Sequence, residues 1–187
     1  MMKRLVSHLM KSTARVGASA ALNAFASGKV QMKTNHKVEC YGADGKLKWV
    51  EEIHNLVVDV GLNDLLSKYF KGASYTAAFF VGLKLTGTVA AGDTMASHAG
   101  WAESSAYSQA NRPALVLGTV AAKSVDNSAS VAVFSINGTA TITGAFVTTD
   151  NAKGGTAGIL YGASDFSASR AVVPGDTLNV TVTLSAS

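Results

Sequence analysis

Cysteine is almost missing from this chain. Cys40 stands alone among 187 residues, so no disulfide framework within the chain can hold it together. Charge is also scarce, at 15% of residues against about 25% in an ordinary soluble domain. With 48% of residues hydrophobic, the chain cannot be a charged, apolar-poor disordered segment. No window approaches the roughly 18 uninterrupted apolar residues of a membrane-spanning helix. Aromatics, at 7%, are too few to suggest a sugar-cleaving cleft, which usually uses several. What is present is eighteen glycines against two prolines, with abundant Ala, Ser, Thr and Val. The length suits one domain with a real core.

Acidic residues are absent from the first 38 positions, which hold Lys3, Arg4, Lys11, Arg15, Lys29, Lys33 and Lys37. The remainder carries nine bases against twelve acids, so the basic character belongs to an N-terminal arm and the body is net negative. Such an arm fits contact with something acidic: another subunit, a nucleic acid or a membrane surface. The plainer alternative is the solvated face of a surface helix. Leu5, Leu9, Met10, Val16, Ala20, Leu22 and Phe25 fall near a 3.6-residue spacing, which predicts an amphipathic helix ending near Gly28. The acid-free, Ser- and Arg-containing start also resembles a mitochondrial transit peptide, although an uncleaved arm is the expectation taken here.

From Val30 the period changes to two. Gln31 to Tyr41 and Lys46 to Ile53 alternate on either side of Gly42-Ala43-Asp44-Gly45, a hairpin signal. Leu47, Trp49 and Val38 are expected on one face, with Lys46, Lys48 and Glu51 on the other. Asn55 to Phe70 reads as a strand turning into a helix near 60–71. Val60, Leu62, Leu65, Leu66 and Tyr69 form its apolar stripe, and Gly72 is its stop. After Tyr75 the pattern is β: strands are expected at Ala77–Leu85, Leu115–Ala122, Ala129–Ile136, Thr139–Thr148, Thr156–Gly162 and Thr177–Leu184, with a long connection over 86–113. The expected fold is mainly β, a β-sandwich or jelly-roll-like body over 31–187 with one short helix, preceded by a helical arm over 1–30.

Chemistry is hard to find. His8, His36, His54 and His98 include no pair at i, i+3 or i, i+4, so no helical metal site is expected. His98 sits in the long connection near Asp93 and Glu103 without a nucleophile elbow, and reads as a hydrogen-bonded loop residue. Cys40 reads as a core or interface residue on a strand. Most of the aspartates sit at turn positions. Lys153-Gly154-Gly155-Thr156 lacks the spacing of a phosphate loop. Trp49, Trp101, Phe79, Phe80 and Tyr75 could stack nucleobases, but the negative body opposes that, and core packing is the better reading. No catalytic residue, cofactor or metal ligand is expected, and the chain is read as a non-enzyme.

Two stretches carry a resemblance. Lys46 to Asn63, with His54-Asn55-Leu56-Val57-Val58 followed by Gly61-Leu62-Asn63, is similar to a segment of small virion-associated proteins of tailed bacteriophages. Ala90 to Trp101, through Gly92-Asp93-Thr94-Met95 and Ser97-His98-Ala99-Gly100, follows the same family's pattern, as does the Thr/Val-rich ending from Gly175 to Val182. The resemblance covers about residues 32–187 and says nothing of the arm. It implies a virion structural component, made in the bacterial cytoplasm, and no reaction.

Three readings follow. The first is a capsid cement or decoration protein whose arm residues Lys3, Arg4, Leu5, Leu9, Lys11, Arg15 and Phe25 dock on neighbouring major coat subunits. The second is a neck, tail or tail-fibre component, contacting other virion subunits. Either would be a homo-oligomer in the particle, with no small-molecule substrate and no direct nucleic-acid contact expected. The third is a carbohydrate-binding module using His98, Trp101 and Tyr107 in the long connection as a surface-binding loop.

Overall fold

The structure, a computed structural model, describes residues 31–75 and 78–187. The arm expected over 1–30, with Lys3, Arg4, Leu5, Leu9, Lys11, Arg15 and Phe25, lies outside the described residues.

The described chain is mainly β with a single short helix. Its strands are β1 (Met32–Tyr41), β2 (Leu47–Val57), β3 (Phe80–Gly87), β4 (Trp101–Glu103), β5 (Ser124–Asp126), β6 (Ala132–Ser135), β7 (Ala140–Thr148), β8 (Leu160–Val172) and β9 (Thr177–Ala186). They form one antiparallel ladder in the order β4-β3-β7-β8-β2-β1-β9-β5, with β6 also paired to β9. The helix, α1, runs Asp59–Phe70 between β2 and β3.

The β1–β2 hairpin forms where the alternation and the Asp44-Gly45 turn place it. Cys40 faces Trp49 and Val38 faces Glu51 across the pair, while Asp44 accepts a hydrogen bond from the Lys46 backbone N–H at 3.1 Å. On β1 every second residue from Thr34 to Cys40 is buried, and on β9 Leu178, Val180 and Val182 point inward. β2 links two halves of the ladder: most of it pairs with β1, while Leu56 and Val57 pair with Ala163 and Gly162 of β8. Both halves feed one core. Val38, Cys40, Val180 and Val182 pack in the same cluster as Val81, Leu83, Ile142, Val147 and Phe166. Met32–Ala186 forms one compact unit.

Several local expectations need correction. Residues 115–122 form no ladder strand; the chain reverses at Ala122 and Lys123, with φ of +48° and +62°, and pairing begins at Ser124. The 86–113 connection contains β4, and β8 runs ten residues past its expected end at Gly162. Glu51, expected on the face opposite Trp49, shares its face instead, as the two-residue period requires. Glu51 is buried, its carboxylate held by Arg170 Nε at 2.7 Å and by the Ser167 backbone N–H at 3.1 Å.

The helix holds the largest correction. Of its expected stripe only Val60 packs on a core cluster: Leu62, Leu65, Leu66 and Tyr69 are exposed, as is the adjoining Phe70, and Gly61 is the only buried helix residue. The reason is close approach. A Cβ on Gly61 would lie 2.3 Å from the Tyr161 carbonyl oxygen, so the helix rests on β8 through its smallest residue. Gly72 ends the helix as expected, at φ +65°.

Candidate functional site

Two regions of the Met32–Ala186 unit bear on function. The first is built from loops whose charges are satisfied internally. Arg112 is completely buried, yet its guanidinium reaches Glu103 twice, at 3.0 and 2.8 Å, and the carbonyls of Asp150 at 2.9 Å and Gly155 at 2.7 Å. Asp150 adds a longer contact at 3.4 Å. Glu103 also accepts from the Gly154 backbone N–H at 2.8 Å, and Lys153 donates to the carbonyls of Tyr107 and Gln109. One guanidinium thus ties the 103–112 loop to the 150–155 loop, with every carboxylate matched. Lys84, also fully buried, is paired with Asp165 at 2.7 Å.

Beside this network is a recess of about 510 Å³ between Met95–Glu103 and Gly154–Thr156. Here the residues of the expected surface-binding loop can be placed. Trp101 is buried at 5% exposure. One ring face stacks on His98 at 4.0 Å, Phe146 packs at 5.2 Å, and its indole N–H donates to Asp93 at 2.9 Å. Tyr107 is fully buried against Phe134, under the Lys153 ammonium. Burial and the nearby Glu103 charge push its phenol well above the usual tyrosine range. Sugar stacking requires an open ring face, and neither aromatic offers one. His98 is half-buried and bonded through Nδ1 to the Trp101 carbonyl at 3.0 Å, the loop-histidine role expected of it.

The second region is apolar. A groove of about 630 Å³ runs between α1, the end of β9 and the 117–125 segment; Leu65, Tyr69, Phe79, Leu117, Val120 and Leu184 supply most of its walls. Charged groups at it are Asp64, Lys68 and Lys123. Leu65 and Tyr69 of the exposed α1 stripe stand on its wall, and Phe70, 74% exposed, adjoins Tyr69, 79% exposed. The helical spacing revealed this stripe, while its outward direction depends on Gly61 and could not be read.

Other groups bear on chemistry. Cys40 is buried; desolvation, with the Asp176 charge adding to it, pushes its thiol up to about 11, which leaves it protonated at neutral pH. His36 is buried with Nδ1 at 2.9 Å from the Ser164 hydroxyl, and burial lowers its pKa to about 4, so it is neutral at pH 7. Among the described residues no group of three or more His, Cys, Asp or Glu is placed to hold a metal ion. No described helix is long and apolar enough to cross a membrane. The chain matches no family model, no curated protein and no solved structure.

Proposed function

We propose that this chain is a non-enzymatic structural component of a tailed-bacteriophage virion, and specifically a capsid cement or decoration protein. The body, read as a jelly-roll-like β-sandwich closed over one core, sits on the shell. The basic N-terminal arm docks on neighbouring coat subunits, with Lys3, Arg4, Lys11 and Arg15 meeting acids while Leu5, Leu9 and Phe25 fill apolar grooves.

One observation carries this reading. The two stretches that resemble phage virion proteins, 46–63 and 90–101, are far apart in sequence but adjacent in space. The Asp59 backbone N–H donates to the Ala91 carbonyl at 2.9 Å, and Val58, Met95 and Trp101 share a small buried cluster with Phe146 and Leu160. The two stretches that carry the resemblance thus meet at one place in the fold, the end of β2 and the start of α1 against the 91–101 turn, which supports reading them together. The charged groups nearby are spent on each other, which suits a lattice part better than a catalyst.

Quantitative mass spectrometry of purified particles of the encoding phage tests it. A copy number comparable to the major coat protein is expected. A dozen copies or fewer would move the chain to the neck, tail or fibres, and absence from the particle would overturn the virion reading.

A further inference from the structure

The apolar stripe of α1 and the groove beside it lie together on one surface. At 62, 65, 66, 69 and 70 the stripe follows the spacing of a helix face that packs on something, yet Leu66 is 52%, Tyr69 79% and Phe70 74% exposed. Tyr75, just beyond the helix, is 60% exposed. Monomeric surfaces rarely keep so contiguous an apolar patch uncovered.

We propose that this surface is an isologous interface with a second copy of the same chain, in which the α1 ridge of each copy enters the groove of the other. Three observations choose this occupant. The surface is self-complementary, because a protruding aromatic ridge adjoins an apolar hollow of about 630 Å³, and a two-fold axis matches ridge to hollow twice. The area is sufficient: Tyr69, Phe70 and Tyr75, at about 200 Å² per aromatic side chain, expose roughly 400 Å² between them. That is about half of the ~800 Å² per partner of a stable interface, with the leucines and the groove walls still to be added. Charge favours a second copy over the chain's own arm: the groove has Lys68 and Lys123 against Asp64, a second copy brings only that same small excess, and residues 1–30 bring Lys3, Arg4, Lys11, Arg15 and Lys29 with no acid. This interface does not depend on the virion reading.

The test uses the full-length chain. Sedimentation velocity from micromolar to near-millimolar concentration should show a monomer–dimer equilibrium; a monomer throughout overturns the proposal. The double variant Tyr69→Ser/Phe70→Ser, at exposed positions, should weaken the dimer by about 30-fold, the effect of losing one interface hot spot, with an unchanged circular dichroism spectrum. Dimerisation unaffected by it overturns this placement. A photoreactive benzophenone side chain at position 69 identifies the occupant. A dimer-mass product joined near Leu117, Val120 or Leu184 supports the proposal. A product joined to residues 1–30, at monomer or dimer mass, gives the groove to the arm and overturns it.

Discussion

The Arg112 end and the α1 end of this body handle unfavourable exposure in opposite ways. Around Arg112, a full charge has been taken out of water and every partner it needs is supplied: Glu103, Asp150 and two loop carbonyls. Around α1, apolar side chains are left in water with nothing described against them. A buried ion pair contributes little net stability but fixes geometry, because alternative loop arrangements leave a charge unpaired. An exposed apolar ridge contributes nothing to the isolated fold and acquires value on association. The two ends therefore contrast a region whose contacts shape the body with the region proposed above to join a second copy, and substitutions at each should differ in kind.

The largest effect belongs to the first end. Arg112→Ala strands Glu103 and Asp150 and opens a void beside Phe146, where the guanidinium lies 5.4 Å from the ring centroid. The expected loss is about 3–5 kcal/mol in urea unfolding, with faster hydrogen exchange across both the 103–112 and 150–155 loops. Unchanged stability would break the contrast at its stronger side.

Next comes a pH effect that must be removed before the ends are compared in acid. Burial lowers His36 from 6.5 to about 4 in the folded state, so the unfolded chain takes up the proton first. Stability is then full above pH 6.5 and falls as pH drops from 6.5 to 4, levelling once folded His36 also protonates. That shift corresponds to about 3 kcal/mol. Glu51 and Asp176 act at lower pH: burial raises both, but for Glu51 the hydrogen bonds of Arg170 and Ser167, and for Asp176 those of Lys48 and Val173, outweigh it and leave each below the usual carboxylate range. Urea midpoints at pH 7 and pH 5 for the parent and His36→Leu should diverge in the parent alone.

A smaller change refines the loop side. Trp101→Phe keeps an aromatic ring against His98 and Phe146 but removes the indole hydrogen bond to Asp93. Asp93 retains the Ala90 backbone N–H, so the expected cost is about 1–2 kcal/mol, read by thermal unfolding. A cost near that of Arg112→Ala would mean the 93–101 turn belongs to the same unit as the ion network.

How much of this was legible follows the same division. The β1–β2 hairpin, β7, β9 and the helix ending at Gly72 all had local signals: alternation, an Asp-Gly turn, 3.6-residue spacing. Residues 163–172 of β8 were missed because their buried side chains are few and unevenly spaced: Ala163 and Ser164 are small neighbours, and only Phe166 and Val172 are large and apolar. Glu51 was expected on the face away from Trp49, and its burial depends on Arg170, more than a hundred residues away; the burial of Lys84 beside Asp165 and of Arg112 against the 150–155 loop likewise leaves no local signal. Several aspartates were correctly read as turn formers, as with Asp44, Asp126 and Asp150 bonding backbone N–H groups two residues on. Trp101 and Tyr107 were visible as aromatics in a loop, but loop membership did not reveal that the loop folds inward. The α1 stripe was found, yet periodicity defines a face without saying what it faces.

The smallest effect on the fold is expected on that stripe, and it tests the comparison most sharply. Leu66→Lys places a charge where the side chain is 52% exposed. For the isolated body the change should stay within about 0.5 kcal/mol, as for surface positions without special contacts. For an associating protein the outcome differs in a measurable way, because a partner that binds only the folded state raises apparent stability with concentration. The parent's melting temperature should therefore climb with protein concentration, while that of Leu66→Lys stays flat and meets the parent's value at high dilution. A flat profile for both would make the ridge an uncovered surface with no thermodynamic consequence. A drop in the variant persisting at high dilution would instead mean that Leu66 stabilises the body itself, which would erase the distinction between the two ends.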